Sequence, residues 1–185
     1  MLMRLLLLLS CAAFFSMLAV ASQKPEAERT APPEFTNTAT IKDLMVSMID
    51  PSADYLWDSV ATTVSPNGLG SREPRTDKEW AAVRRNTIVL LEATNLLMIP
   101  GRHVAAPGDN SKNPGVELSP EQIEVLLSKD QESWNKLSRG LYDATLVALK
   151  AVDAKDARAL LNSGAGIDRA CESCHLKYWY PQPGR

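Results

Sequence analysis

Cys171-Glu172-Ser173-Cys174-His175 decides how the chain is read. A C-x-x-C-H pentad is the pattern of c-type haem attachment: two thiols add across the haem vinyl groups as thioethers, and the imidazole that follows binds iron from one side. On a helix, residues at i, i+3 and i+4 share a face, so Cys171, Cys174 and His175 can address one macrocycle. A structural zinc site is a weaker reading, because Cys11 and His103 do not supply a second ligand pair at metal-binding spacing. A thioredoxin-like redox pair is weaker too, because no βαβ pattern surrounds it. A chance pentad is the remaining alternative. The expectation is one covalent haem c per chain.

The start of the sequence agrees with that chemistry. Residues 1–4 end on the positive charge of Arg4, an apolar run continues to Val20, and Ala19-Val20-Ala21 offers a small-residue cleavage signal. This predicts a secretory signal peptide over residues 1–21, cleaved after Ala21. A retained anchor is the second reading, since residues 5–21 are nearly long enough to dip into a bilayer. A lipidated Cys11 fits its neighbours poorly. Covalent haem attachment in bacteria takes place outside the cytoplasm, so export and pentad support each other and the expected location is the periplasm. Only Cys171 and Cys174 then remain in the mature chain, which is no disulfide scaffold.

The net charge is −2, and about −3 once Arg4 is removed. That balance argues against nucleic acid or an anionic membrane surface as partner, and weakly favours a partner with a basic patch.

Residues 22–40, rich in Pro, Glu, Ala and Thr without apolar period, read as a flexible leader. The domain is expected over residues 41–185. Ile41, Leu44, Met45 and Met48 fall on one helical stripe. Asp50-Pro51 interrupts it, with Asp50 a good N-cap and Pro51 a good first residue, so a first helix broken at Asp50 is predicted. Residues 65–75 read as a loop. Thr76 and Glu79 form a capping box that opens a second helix with Trp80, Val83, Thr87, Leu90, Thr94 and Leu97 on its stripe. Residues 102–118 have no periodicity and read as an Ω-like loop packed over the domain or as a docking surface.

Ser119 and Gln122 make a second capping box, with Pro120 at the first helical position. The helix it opens is expected to bend at Asp130 and to carry Trp134, Leu137, Leu141, Ala144 and Ala148 inward. The last helix has Leu160, Gly164, Ile167, Cys171 and Cys174 on one seam. Gly164 there costs about 1 kcal/mol relative to Ala. Close approach of a neighbouring helix or of the haem edge would explain it, and plain tolerance is the alternative. Four amphipathic helices without a convincing strand predict an all-α, antiparallel four-helix bundle with the haem on its C-terminal helix.

On these residues the chain resembles the cytochrome c′ and cytochrome c556 group, exported four-helix bundles with one C-x-x-C-H near the end of the fourth helix. The resemblance covers roughly residues 40–179, and its specific part is the pentad and its position. It implies thioether roles for Cys171 and Cys174 and a proximal iron-ligand role for His175. Leu44-Met45 stands where low-spin members place a Leu-Met pair, which makes Met45 the candidate distal ligand and Met48, one turn on, the alternative. Both as plain core residues is the competing view. A basic residue often found four positions after the histidine is here Trp179, with Lys177 two after it instead. Related bundles are often dimers, so a homodimer stays open.

Three functions follow. The first is outer-sphere electron transfer with periplasmic or membrane-bound redox proteins. The second is nitric oxide or carbon monoxide binding at an open sixth position. The third is a peroxidase, which would need a distal base; His103 is the spare histidine, and its loop context argues against that. With no carboxylate pair calling for acid–base chemistry, an enzyme is not expected.

Overall fold

The computed structural model describes residues 35–65 and 68–181. The expected signal peptide, residues 1–21, and most of the leader, 22–40, lie outside the described residues. The end of that leader is tied down: the Asn37 side-chain amide donates to the Pro100 carbonyl at 2.8 Å, and the Arg102 guanidinium donates to the Ala39 carbonyl.

The first helical run has three parts: α1 (Ile41–Leu44), a π-helical turn (Met45–Ile49) and α2 (Asp50–Ser59). Thr40 caps it, its hydroxyl accepting the Asp43 amide while the Asp43 carboxylate accepts the Thr40 amide. Two further first-turn amides are satisfied by the long loop, Ile41 by the His103 carbonyl and Lys42 by the Val104 carbonyl, both at 2.9 Å.

The expected break with Asp50 as N-cap is corrected. Asp50 is helical (φ −56°, ψ −54°) and its amide donates five residues back to the Met45 carbonyl. Pro51 lacks an amide hydrogen and its ring crowds the carbonyl four residues before it. A widened turn lets the helix pass the proline without ending. The buried residues record the extra residue: Ile41, Leu44, Ile49, Ala53, Leu56 and Val60 step by three, five, four, three and four. Ile49 therefore takes the core position, and Met45 and Met48 are half-buried at its flank.

Within and beside the predicted 65–75 loop lies a hairpin, β1 (Ala61–Ser65) and β2 (Gly68–Arg72), antiparallel with Ala61 opposite Arg72. Thr62, Thr63 and Val64 favour extended backbone, and the dipeptide Asn67-Gly68 is a hairpin signal in the sequence. Helix α3 (Asp77–Leu97) starts at the predicted box, and its stripe Trp80, Val83, Thr87, Leu90, Thr94 and Leu97 is buried. Thr87, Thr94 and Thr145 bury hydroxyls without penalty because each bonds the carbonyl one turn before it, at 2.7–2.9 Å.

The helix expected to bend at Asp130 is two helices, α4 (Pro120–Lys129) and α5 (Gln131–Asp153). Asp130 leaves helical geometry (φ −143°, ψ 58°) and caps α5 through the Ser133 amide at 3.1 Å. A Schellman turn ends α5, with Asp156 donating to the Ala151 carbonyl and Lys155 to the Val152 carbonyl. Helix α6 (Ala157–Tyr178) follows at once.

Helices α2, α3, α5 and α6 close a ring, each packing on the next. Trp134 at the start of α5 donates to the Leu97 carbonyl at the end of α3, and Arg84 near the start of α3 pairs with Asp153 at the end of α5. Lys177 at the end of α6 pairs with Asp130 at the start of α5, and Trp57 on α2 reaches Gly164 on α6. These contacts make neighbours antiparallel: the all-α four-helix bundle, with a hairpin added between its first two helices. No helix among the described residues is long and apolar enough to cross a membrane.

Two predictions follow from this packing. A Cβ on Gly164 would stand 3.0 Å from Trp57 Cδ1 and 3.2 Å from Nε1. Gly164→Ala should therefore destabilise the protein despite the better helix former, while in a Trp57→Ala background the same change should stabilise it by about 1 kcal/mol. Denaturant melts of the four-member cycle read the sign. The Asp130 carboxyl is held below the usual range by Lys177 first and the Ser133 amide next. A depressed folded pKa gives stability that is present above the unfolded value and lost as pH falls through the folded one. Asp130→Asn keeps a capping oxygen and drops the ion pair, so its stability should fall less than the parent's between roughly pH 5 and 3.

Candidate haem-attachment site

The pentad occupies the last two turns of α6, with Glu172 and Ser173 outward and Cys171, Cys174 and His175 half-buried. Both thiols are free. They pack against the same apolar core as Leu160 and Ile167, so the predicted seam is continuous from the start of the helix into the pentad. Gly164 lies on it, and its bare backbone receives the Trp57 indole, whose N–H donates to the Gly164 carbonyl at 3.4 Å. Of the two explanations for that glycine, close approach of a neighbouring helix is the one found. An apolar cleft of about 270 Å³ opens there between α2 and α6, lined by Leu56, Trp57, Val60, Leu160, Gly164 and Ile167 among others.

Burial controls the charge state of the donors. It is the first cause that pushes the Cys171 thiol up to about 11, with the charges of Asp50, Asp168 and Glu172 adding to it. The Cys174 thiol goes up to about 12, again chiefly by burial. Burial lowers the His175 imidazole, opposed by Asp50 and Glu172. At neutral pH the donors are thus two protonated thiols and a neutral imidazole, the form of histidine that binds metal. Asp50 is exposed overall, yet its carboxyl is pushed up first by burial, against the pull of His175.

Asp50 is the neighbour that sequence reasoning missed. It was expected to cap a helix, and instead stands close enough to His175 and Cys171 to shift both. The spacing held a clue: Trp57 is seven residues after Asp50, and Cys171 is seven after Gly164, so one antiparallel contact implies the other.

Met45, Met48, His103 and other side chains of note are placed as follows. Met45 and Met48 lie in the π-turn and pack against the core that also holds Cys171 and Cys174. His103 is exposed in the long loop, its Nδ1 2.7 Å from a Glu124 carboxylate oxygen. Arg72 pairs with Asp58 and Arg84 with Asp153, both at the surface. Tyr178 is buried and stacks edge-on against Trp134, centroids 5.4 Å apart, closing the end of the bundle. Trp179 stands edge-on to the His175 ring at 5.0 Å, and Tyr180 lies 5.9 Å from it. Among the described residues no cluster of three or more His, Cys, Asp or Glu side chains could hold a bare metal ion.

The donor set fits a covalently held haem. Two reduced thiols one turn apart match two vinyl groups, a neutral imidazole follows on the same face, and an apolar seam leads to them.

No family model matches the chain, and no curated protein matches it. Among solved structures it is similar to a cytochrome c′, with 18% identity over 79% of this chain and 99% of that one and a TM-score of 0.44. It is similar also to a ferrous variant of cytochrome c prime from Alcaligenes xylosoxidans with bound nitric oxide, at 20% identity, 80% and 100% coverage and a TM-score of 0.44. A nitric oxide complex of another variant of that protein gives 20% identity, 80% and 100% coverage and a TM-score of 0.42. These likenesses assign no residue of this chain a role.

Proposed function

We propose that this chain is an exported, periplasmic one-haem c-type cytochrome that passes single electrons between redox proteins. The observation that carries the reading is the placement of Cys171, Cys174 and His175 on one half-buried face of α6. Cys171 and Cys174 hold the haem as thioethers, and His175 binds iron from the proximal side. Met45, on the first helical run, is the candidate distal ligand. A haem held there supplies a one-electron iron couple, whose potential is set by axial ligand, burial and neighbouring charge.

The chain's own residues do the rest. The seam of Leu160 and Ile167 excludes water, and the cap of α6 holds the imidazole near the bundle's end. The carboxylates of Asp50, Asp168 and Glu172 around Cys171 suit a periplasmic or membrane-bound partner with a basic patch. Outer-sphere transfer asks for no acid–base group, and no enzymatic role is part of this reading.

A second reading is favoured by the packing of Met45 and Met48 against the apolar core, which gives both a role without iron. The sixth position is then open, and the protein binds nitric oxide or carbon monoxide.

The visible spectrum of the reduced, exported protein separates the two. Electron transfer with Met45 as ligand predicts a low-spin ferrous spectrum that ignores carbon monoxide, and Met45→Ala should convert it to a form that binds the gas. A high-spin spectrum that shifts with carbon monoxide in the parent protein would favour the open site. Replacing Cys171 and Cys174 together by serine should abolish haem that survives denaturation. Covalent haem retained in that variant would rule out the attachment reading itself.

A further inference from the structure

The long loop, residues 102–118, contributes no donor, yet it ends against Trp179, four residues past the pentad histidine. Its first half is spent on the start of the bundle: carbonyls of His103 and Val104 satisfy α1, and Asp109 pairs with Lys42 at 2.9 Å. Its second half turns on Glu117. That carboxylate accepts from the Ser111 hydroxyl at 2.7 Å and from the amides of Lys112 and Asn113 at 3.0 and 3.1 Å.

The Trp179 indole adds to what the Ser111 hydroxyl does first in holding the Glu117 carboxyl below its usual range, so it lies near that carboxylate. The next residue, Leu118, donates its amide to the Trp179 carbonyl at 2.7 Å. The loop thus holds Trp179 through the Leu118 main chain, and Glu117 orders the turn that leads to it. Trp179 and Tyr180 both donate their amides to the His175 carbonyl, at 2.8 and 3.0 Å. The indole stands at 86° to the imidazole plane, an edge-to-face contact with centroids 5.0 Å apart. Tyr180 stays beside it through its hydroxyl bond to Glu172 at 2.7 Å.

We propose that Leu118 and Trp179 form a clamp, braced by the Glu117 turn, through which the long loop fixes the imidazole plane of His175 and covers it from solvent. Trp179 is a positioning residue, since it acts on the donor. As a statement about iron ligation, the proposal rests on the haem reading above. The physical cause is simple: a histidine at a fraying helix end keeps side-chain freedom that a proximal ligand has to lose, and the clamp removes it before any group is bound.

The exported full-length chain tests this with Trp179→Ala, Trp179→Phe and Glu117→Gln. A pyridine haemochrome assay first tells whether haem c is present, which tests the haem reading by itself. If it is present, the readouts are the iron–imidazole stretching band of the ferrous protein and the midpoint potential. If it is absent, the readout is the rate of carbethoxylation of His175 relative to exposed His103 in the same molecule. The clamp predicts a shifted or broadened band with a displaced potential, or a several-fold higher rate ratio, for Trp179→Ala. Glu117→Gln should give the same change at smaller size, and Trp179→Phe should recover part of it through the ring edge. Should the alanine variant lose its helical circular dichroism, the other two carry the test. Parent-like band and potential, or a parent-like rate ratio, in all folded variants would overturn the proposal.

Discussion

The indole of Trp57 rests on the bare backbone of Gly164, and the placement of the first helical run over the last follows from that contact. With a side chain at 164 the two helices would stand further apart. Because they run antiparallel, fixing Trp57 at Gly164 sets everything two turns away as well: Asp50 arrives beside Cys171 and His175. The π-turn then comes next along the same run. One small residue therefore decides which side chains surround the pentad, and it does so from a position that touches none of them.

The far end of α6 is held differently. Tyr178 is buried against Trp134, whose indole in turn bonds the end of α3. Lys177 meets the carboxylate that caps α5. Trp179 meets the long loop through Leu118, and Tyr180 turns back onto Glu172 of its own helix. Four successive residues, Lys177 to Tyr180, thus serve three different neighbours. A helix end that would ordinarily fray is tied to α5, to the loop and to its own preceding turn, immediately after the donors it presents.

Much of this was legible in the sequence because it is local. Thr76 with Glu79 and Ser119 with Gln122 announce helix starts within four residues, and both boxes are present. The stripe of α3 needs only its own period. The pentad, its helix and the seam behind it are local as well. What escaped was set by distant partners or by competition. Asp50 had every local mark of a cap, but the energy of a continuous run packed on α3 outweighed a restart. The hairpin was hidden by its turn residues, which also describe a loop. Asp50 near His175, and Leu118 on Trp179, join residues more than sixty positions apart and leave no periodic trace.

The π-turn also has a meaning in terms of sequence length. Each residue turns an α-helix by about 100°, so one residue in excess rotates everything before it relative to everything after it. Ile41 and Leu44 share a core with Ile49 and Ala53 only because the chain has that excess. Losing a single codon between Met45 and Ile49 would remove the widened turn that admits Pro51 and turn the start of the run away from its own core. This segment tolerates exchange of side chains more readily than any change in their number.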